Sequence, residues 1–226
     1  LKRFYKTFLK EGELCFDIGA HVGNRSVCMS AAGCKVIALE PHPHLFKWLK
    51  LLSRLCPFTP VELAIENTIG PKKLFLSSTN LMISSLNENW TSKLNEIEHK
   101  SNVNRWSHSV DVQTTTLDAL IQQFGIPHYC KVDVEGNEPK VFETLSTPIP
   151  LISFEHLPST LEQTTRVLQQ LSALGPYEYN YVIGERHSFH KTCWVGQPAI
   201  LKELQNYSQN RICIDVFARL TSGQES

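Results

Sequence analysis

The stretch "CFDIGAHVGNRS", Cys15 to Ser26, decides how the chain is read. Its apolar opening ends in Asp17, Gly19 and Gly23 stand four apart, and a helix-forming segment runs on to Gly33. A strand, a bend that excludes β-carbons and a short helix from about Asn24 account for this order. "CKVIALE" then gives a second strand, closed by the acid Glu40.

Further along, "PHLFKWLKLLSRLC" predicts a helix. Leu45, Leu49, Leu52 and Cys56 share one face, Trp48, Leu51 and Leu55 lie beside it, and Pro57 ends it. "PVELAI" and "KKLFLSS" read as a third and a fourth strand. Residues 77–108 are polar and Asn/Ser-rich, a long insertion expected to cover a site. In "SVDVQTTTLDALIQQFG" a strand leads to a helix with capping-box spacing at Thr115 and Asp118 and a stop at Gly125. "PHYCKVDVEGNE" is a strand entering a turn, with Glu138 and Pro139 in the first turn of the next helix. "PLISFEH" is a strand, followed by a helix from Ser159 with Glu162 in the capping-box position and Gly175-Pro176 at its end. Residues 176–226 read as a variable, β-rich end around a short helix near 198–207. Strands alternating with helices predict a doubly wound, mostly parallel α/β sheet with helices on both faces, expected as a single domain over 1–226.

Composition narrows the function. Hydrophobic residues make up 42% and charged residues 19% of 226 positions, an ordinary globular balance. Basic and acidic residues cancel at 22 each. That argues against a broad electrostatic grip on nucleic acid or an anionic membrane, while leaving room for a local patch. No apolar stretch approaches the roughly 20 residues needed to span a bilayer. Seven cysteines show neither C-x-x-C nor zinc-ligand spacing. Cys15, Cys34, Cys130, Cys193 and Cys213 lie in or beside apolar runs and are expected as reduced core thiols in a cytoplasmic protein. Of the three N-x-S/T sequons, that at Asn24 falls inside the glycine turn, where a glycan would block any ligand.

Ligands of open α/β sheets bind beyond the carboxyl ends of the strands, where Asp17, Gly19 and Gly23 fall. The spacing is D-x-G-x-x-x-G, and His21 stands where a dinucleotide fold wants glycine. Glu40 suits the two ribose hydroxyls of an adenosine. Asp17 suits an ammonium group and would repel pyrophosphate. S-adenosylmethionine satisfies both ends. Glu40 alone would serve NAD equally, so an NAD-linked oxidoreductase or epimerase is the alternative, and a non-catalytic cofactor-binding module the third reading. In "CKVDVEGNEPKVF", Lys131, Asp133 and Glu135 alternate and are expected to point to one side, a charged row that is costly to bury unless paired or solvated.

"FDIGAHVGNRS", "ALEPHP", "TTTLDALI" and "KVDVEGNEPKVFETL" occur in the order found in the FkbM family of S-adenosylmethionine-dependent methyltransferases. The chain resembles that family over residues 13–157, departing from its pattern at Asn137 and by lacking a glycine after Leu145. The resemblance implies a Rossmann-like class I fold and O-methylation of a hydroxyl on a sugar, glycolipid or other natural product. The cofactor-binding set expected is Asp17, Gly19, Ala20, His21, Gly23, Asn24, Glu40, Pro41, Ala64, Ser85 and Asp133. A hydroxyl needs a proton acceptor. Asp133 is the first choice and His156 the second, since Glu155 and His156 end a neighbouring strand; Glu135 and Lys131 complete the catalytic set. No resident metal is expected, although Asp133, Glu135, Glu155 and His156 are suitable donor types. The partner expected is a small-molecule or glycan acceptor, without nucleic acid and without stable membrane insertion. Trp90 and Trp106 are candidates for stacking on a sugar ring, and His187, His190 and Trp194 for weaker acceptor contacts.

Overall fold

The computed structural model describes residues 1–77, 84–87, 108–207 and 213–221. Strands β1 (Leu14–Ile18) and β2 (Lys35–Leu39) pair in parallel around helix α2 (Asn24–Ala31). After α3 (Pro43–Leu52), β3 (Thr59–Val61) adds to the outer side of β2. On the other side of β1 lie β8 (Tyr129–Val132) and β9 (Leu151–His156), also parallel. β11 (Ile214–Leu220) and β10 (Tyr177–Ile183) close that edge antiparallel. The seven-stranded order is β10-β11-β9-β8-β1-β2-β3. The winding reverses between β1 and β8, the place where such sheets open a crevice.

Period-2 alternation along these strands builds two cores. One face carries Phe16, Ile18, Val132 and Phe154 against α4 (Leu117–Phe124), α5 (Glu138–Phe142), α6 (Leu161–Leu174) and α7 (Gln197–Tyr207). The other carries Cys15, Val36, Ala38, Tyr129 and Phe217 against α1 (Lys2–Tyr5), α2 and α3, through Phe4, Tyr5, Met29 and Leu49. The mostly parallel α/β sheet with helices on both faces is thus as the alternation predicts.

A second sheet was not expected. β4 (Ala64–Ile65), β7 (His108–Thr115), β5 (Gly70–Leu76) and β6 (Ser84–Ser85) form a separate four-stranded sheet in the order β4-β7-β5-β6. "PVELAI" is therefore two strands: Val61 ends β3 in one sheet and Ala64 opens β4 in the other. The rest of the insertion, with Trp90 and Trp106, lies outside the described residues.

Both expected capping boxes shift. Thr115 ends β7, and the N-cap is Thr116, whose Oγ1 accepts from the Ala119 N–H at 3.1 Å; Asp118 instead accepts from the Ser146 N–H at 3.0 Å. Pro158 starts a single 3₁₀ turn ahead of α6, since its fixed φ suits a first helical position. There Thr160 Oγ1 accepts from the Leu157 N–H at 3.0 Å, while Glu162 pairs with Arg166 at 2.8 Å. Cys15, Cys34 and Cys130 are buried free thiols, but Cys193 is exposed, against expectation.

Candidate active site

The two glycines of the first turn serve different neighbours. A β-carbon on Gly19 would lie 1.8 Å from the Asp133 carbonyl oxygen, so the tips of β1 and β8 touch backbone to backbone. Gly23, the N-cap of α2 with φ 90°, would instead drive a β-carbon to 2.8 Å from Leu49 of α3. Both also hold left-handed backbone, φ 78° at Gly19, which favours glycine. His21, between them, is left-handed as well at φ 55°.

Beyond this turn opens a cavity of about 870 Å³, its mouth included, walled on one side by Ile18, Gly19, His21, Glu40, Pro41 and Leu45. The small sheet supplies the opposite wall through Ala64, Ile65, Leu74 and Ser84–Leu86, and the turn after β8 supplies Asp133, Val134, Glu135 and Asn137. Glu40 is 4% exposed at the end of β2. One carboxylate oxygen accepts from the His21 N–H and the other from the His42 N–H, each at 2.8 Å. Each oxygen keeps acceptor capacity for a hydroxyl. Burial raises Glu40 to about 7, with the two backbone donors opposing it. His21 Nε2 is buried with no partner among the described residues, an orphaned polar atom on a cavity-lining side chain. These residues fit an adenosyl group: a fixed carboxylate for ribose, apolar walls for a base and a bare bend beside them.

The charged row is a network, not a strand face. β8 ends at Val132, and Glu135 sits at φ 54°, so the alternation assumed from the sequence stops there. Lys131, 5% exposed, donates from Nζ to Asp133 Oδ2 at 2.8 Å. Burial favours its neutral amine, but Asp133, Asp17 and Asp215 outweigh that and hold it charged. Register puts Asp17 beside Lys131 and Glu155 opposite Asp215. Burial, then Glu155, Asp133 and Glu138, push Glu135 up to about 9. Burial and Asp133 bring Glu155 to about 7, against a hydrogen bond from the Cys213 thiol at 2.8 Å. Asp133, Glu135 and Glu155 offer oxygens within 4.8 Å of one another, without His156.

Several expected residues lie elsewhere. Asp17 is fully buried beneath the turn, accepts from Ser26 Oγ at 2.5 Å, and does not line the cavity. Burial raises its pKa, with Lys131 and Ser26 opposing. Ala20, Gly23, Asn24 and Lys131 do not line it either. His156 is the clearest correction: adjacent strand residues point to opposite faces, and it enters the α6 core, where Nδ1 meets Thr164 Oγ1 at 2.8 Å. Burial lowers it to about 4. His187 lies beside Glu185, His190 stacks on Tyr181, and Trp194 lies beneath Arg219, all outside the cavity lining. Ser85 does line the cavity, yet its hydroxyl donates to the Glu135 carbonyl at 2.8 Å. Beside it Asn87 Nδ2 donates to the Gly136 carbonyl at 2.9 Å. Sequence reasoning named Ala64 in the cavity wall but missed its neighbours Leu63 and Ile65, and Asp215, because none of these carries a motif and only sheet pairing brings them in.

A family model described as the methyltransferase FkbM domain matches residues 17–208. The chain belongs to that family. The match runs past residue 157, where the motif resemblance ended, and takes in α6, β10 and α7. A hexuronic acid methyltransferase, AglP, of Haloferax volcanii is 25% identical over 151 residues, covering 64% of this chain and 55% of that protein. The chain thus spans about half the length of this curated relative. Among solved structures, precorrin 8w decarboxylase of Methanobacterium thermoautotrophicum superposes with a TM-score of 0.50 at 8% identity, covering 97% of this chain and 89% of that one. Precorrin-6y C5,15-methyltransferase of Geobacter metallireducens gives 0.48 at 12% identity, covering 96% and 85%. The fold of this FkbM-family chain is Rossmann-like and of the class I methyltransferase type. Among the described residues no helix is long and apolar enough to cross a membrane.

Proposed function

We propose that this FkbM-family methyltransferase transfers a methyl group from S-adenosylmethionine to a hydroxyl of a sugar-like acceptor. The observation that carries the reading is Glu40, fixed by two backbone N–H groups at the end of β2, in a cavity that continues to Asp133 and Glu135. The hexuronic acid methyltransferase among its relatives supports a sugar-like acceptor.

When bound, S-adenosylmethionine supplies an activated methyl group on sulfonium. Glu40 would hold the ribose hydroxyls, and the cavity-lining Ile18, Leu63 and Ile65 would shield the base from water. Asp133 receives the proton of the acceptor hydroxyl, while Lys131 fixes its carboxylate at 2.8 Å and balances the neighbouring acids. Glu135, raised to about 9, keeps its proton at neutral pH and donates a hydrogen bond to the acceptor. No resident metal enters this scheme. Seven unpaired cysteines support a cytoplasmic setting.

Calorimetry with S-adenosylhomocysteine, on the wild type and on Glu40→Ala, tests the cofactor end. Incubation with methyl-labelled S-adenosylmethionine and hexuronic acid glycosides tests the acceptor. Label found on nitrogen or carbon instead of oxygen overturns the reaction class.

A further inference from the structure

Helix α3 turns Leu49 inward to full burial, but its outer side carries exposed large apolar side chains. Trp48 is 62% exposed, Leu51 49% and Leu55, in the turn after the helix, 82%. Trp48 and Leu51, three apart on the helix, are neighbours on its surface, and Leu55 follows in the turn that ends it. Lys47 and Lys50 on the helix and Arg54 in the turn after it are also exposed, without an acidic partner among the described residues. From Pro41 to Val61 the chain has no aspartate or glutamate at all. In a chain whose charges cancel overall, this is a local positive field around an apolar ridge.

We propose that the outer face of α3 docks on an anionic lipid surface. Trp and Leu beside Lys and Arg is the composition of helices that lie in the membrane interface, the rings and aliphatic chains entering the headgroup region and the cations facing lipid phosphates. A protein partner fits less well, because lysine is depleted from protein–protein interfaces. Pro41 and Leu45, from the same segment, wall the cavity, so a lipid surface held by α3 lies beside the site. The proposal does not depend on the acceptor or on the cofactor.

The test is sedimentation with phosphatidylcholine vesicles, with and without phosphatidylserine, at low and high salt. The wild type is expected to pellet only with phosphatidylserine, to be released by salt, and to show a blue-shifted tryptophan emission. Lys47→Gln with Lys50→Gln is expected to weaken partitioning about 30-fold, roughly fivefold per charge. Leu51→Asp with Leu55→Asp is expected to abolish it. All four positions are exposed, so an unchanged melting temperature certifies each variant's fold. The proposal is overturned if the wild type ignores phosphatidylserine vesicles at low salt, or if binding survives both sets of substitutions. It is equally overturned if the wild type does not bind vesicles but self-associates in a way that Leu55→Asp abolishes, which would make the ridge a contact between copies.

Discussion

Gly19 and Asp133 meet across the tips of β1 and β8 so closely that a β-carbon on the first would lie 1.8 Å from the carbonyl oxygen of the second. The contact joins the cofactor turn to the acid proposed as base. Gly19→Ala must separate them and also strain a φ of 78°. Its expected cost is about 3 kcal/mol or more, with loss of S-adenosylhomocysteine binding. Gly12 is the internal control, with a similar φ of 84° and nothing within 4 Å. Gly12→Ala should cost only about 1–2 kcal/mol and leave binding intact. Thermal melts and calorimetry decide; equal losses at both glycines would remove the contact argument.

Glu135 gives the stability a pH dependence. Its folded value, about 9, lies above the ordinary 4.5, so the native state holds a proton that the unfolded chain releases. The contribution is complete below pH 4.5 and is lost as pH rises through 9. Glu40, Glu138 and Glu155, near 7, add the same sign at lower pH. Urea midpoints should therefore fall between pH 7 and 9, and Glu135→Gln should flatten that fall by on the order of 2 kcal/mol. A slope identical in the variant would place the proton elsewhere.

Ser85 and Asn87 hold the turn that carries Glu135 and Gly136. Ser85→Ala is expected to cost about 1–2 kcal/mol and to weaken S-adenosylhomocysteine binding, because the strained backbone at Glu135 loses its brace. Ser84→Ala, at a half-buried position next to it, should not carry this stability cost. Binding unchanged in Ser85→Ala would reduce the brace to a packing contact.

His156 offers the opposite pattern. His156→Ala leaves a core void and an unpaired Thr164 hydroxyl, a loss of about 2–4 kcal/mol, yet the folded protein should bind S-adenosylhomocysteine as the wild type does. A change in cofactor affinity at full folding would return His156 to the site.

The sequence is legible where local chemistry and position agree. Gly19, Gly23 and Glu40 mark strand ends and turns by residue type alone, and the alternation around them gives the main sheet. What escaped depends on pairing between distant segments. Asp215 reaches Glu155 only because β11 runs antiparallel to β9 in one particular register. The split of "PVELAI" follows from a second sheet that no local pattern announces. His156 was misplaced because its neighbour Glu155 faces the charged network, and one step along a strand reverses the face. Thr115 and Thr116 are equally good caps on paper; the length of β7 chooses between them.

The strands of the wall across from Glu40 do not pair with the main sheet, and while Ile65 joins the main core, Ala64, Leu74 and Val112 form a small cluster of their own. Only its Ser85–Asn87 edge is tied to the Glu135 turn: mutations away from that edge, around Leu74 and Val112, can reshape what enters without unseating the carboxylates behind it. Descendants of this protein can change diet by redecorating one side of the room while the plumbing on the other stays where it was.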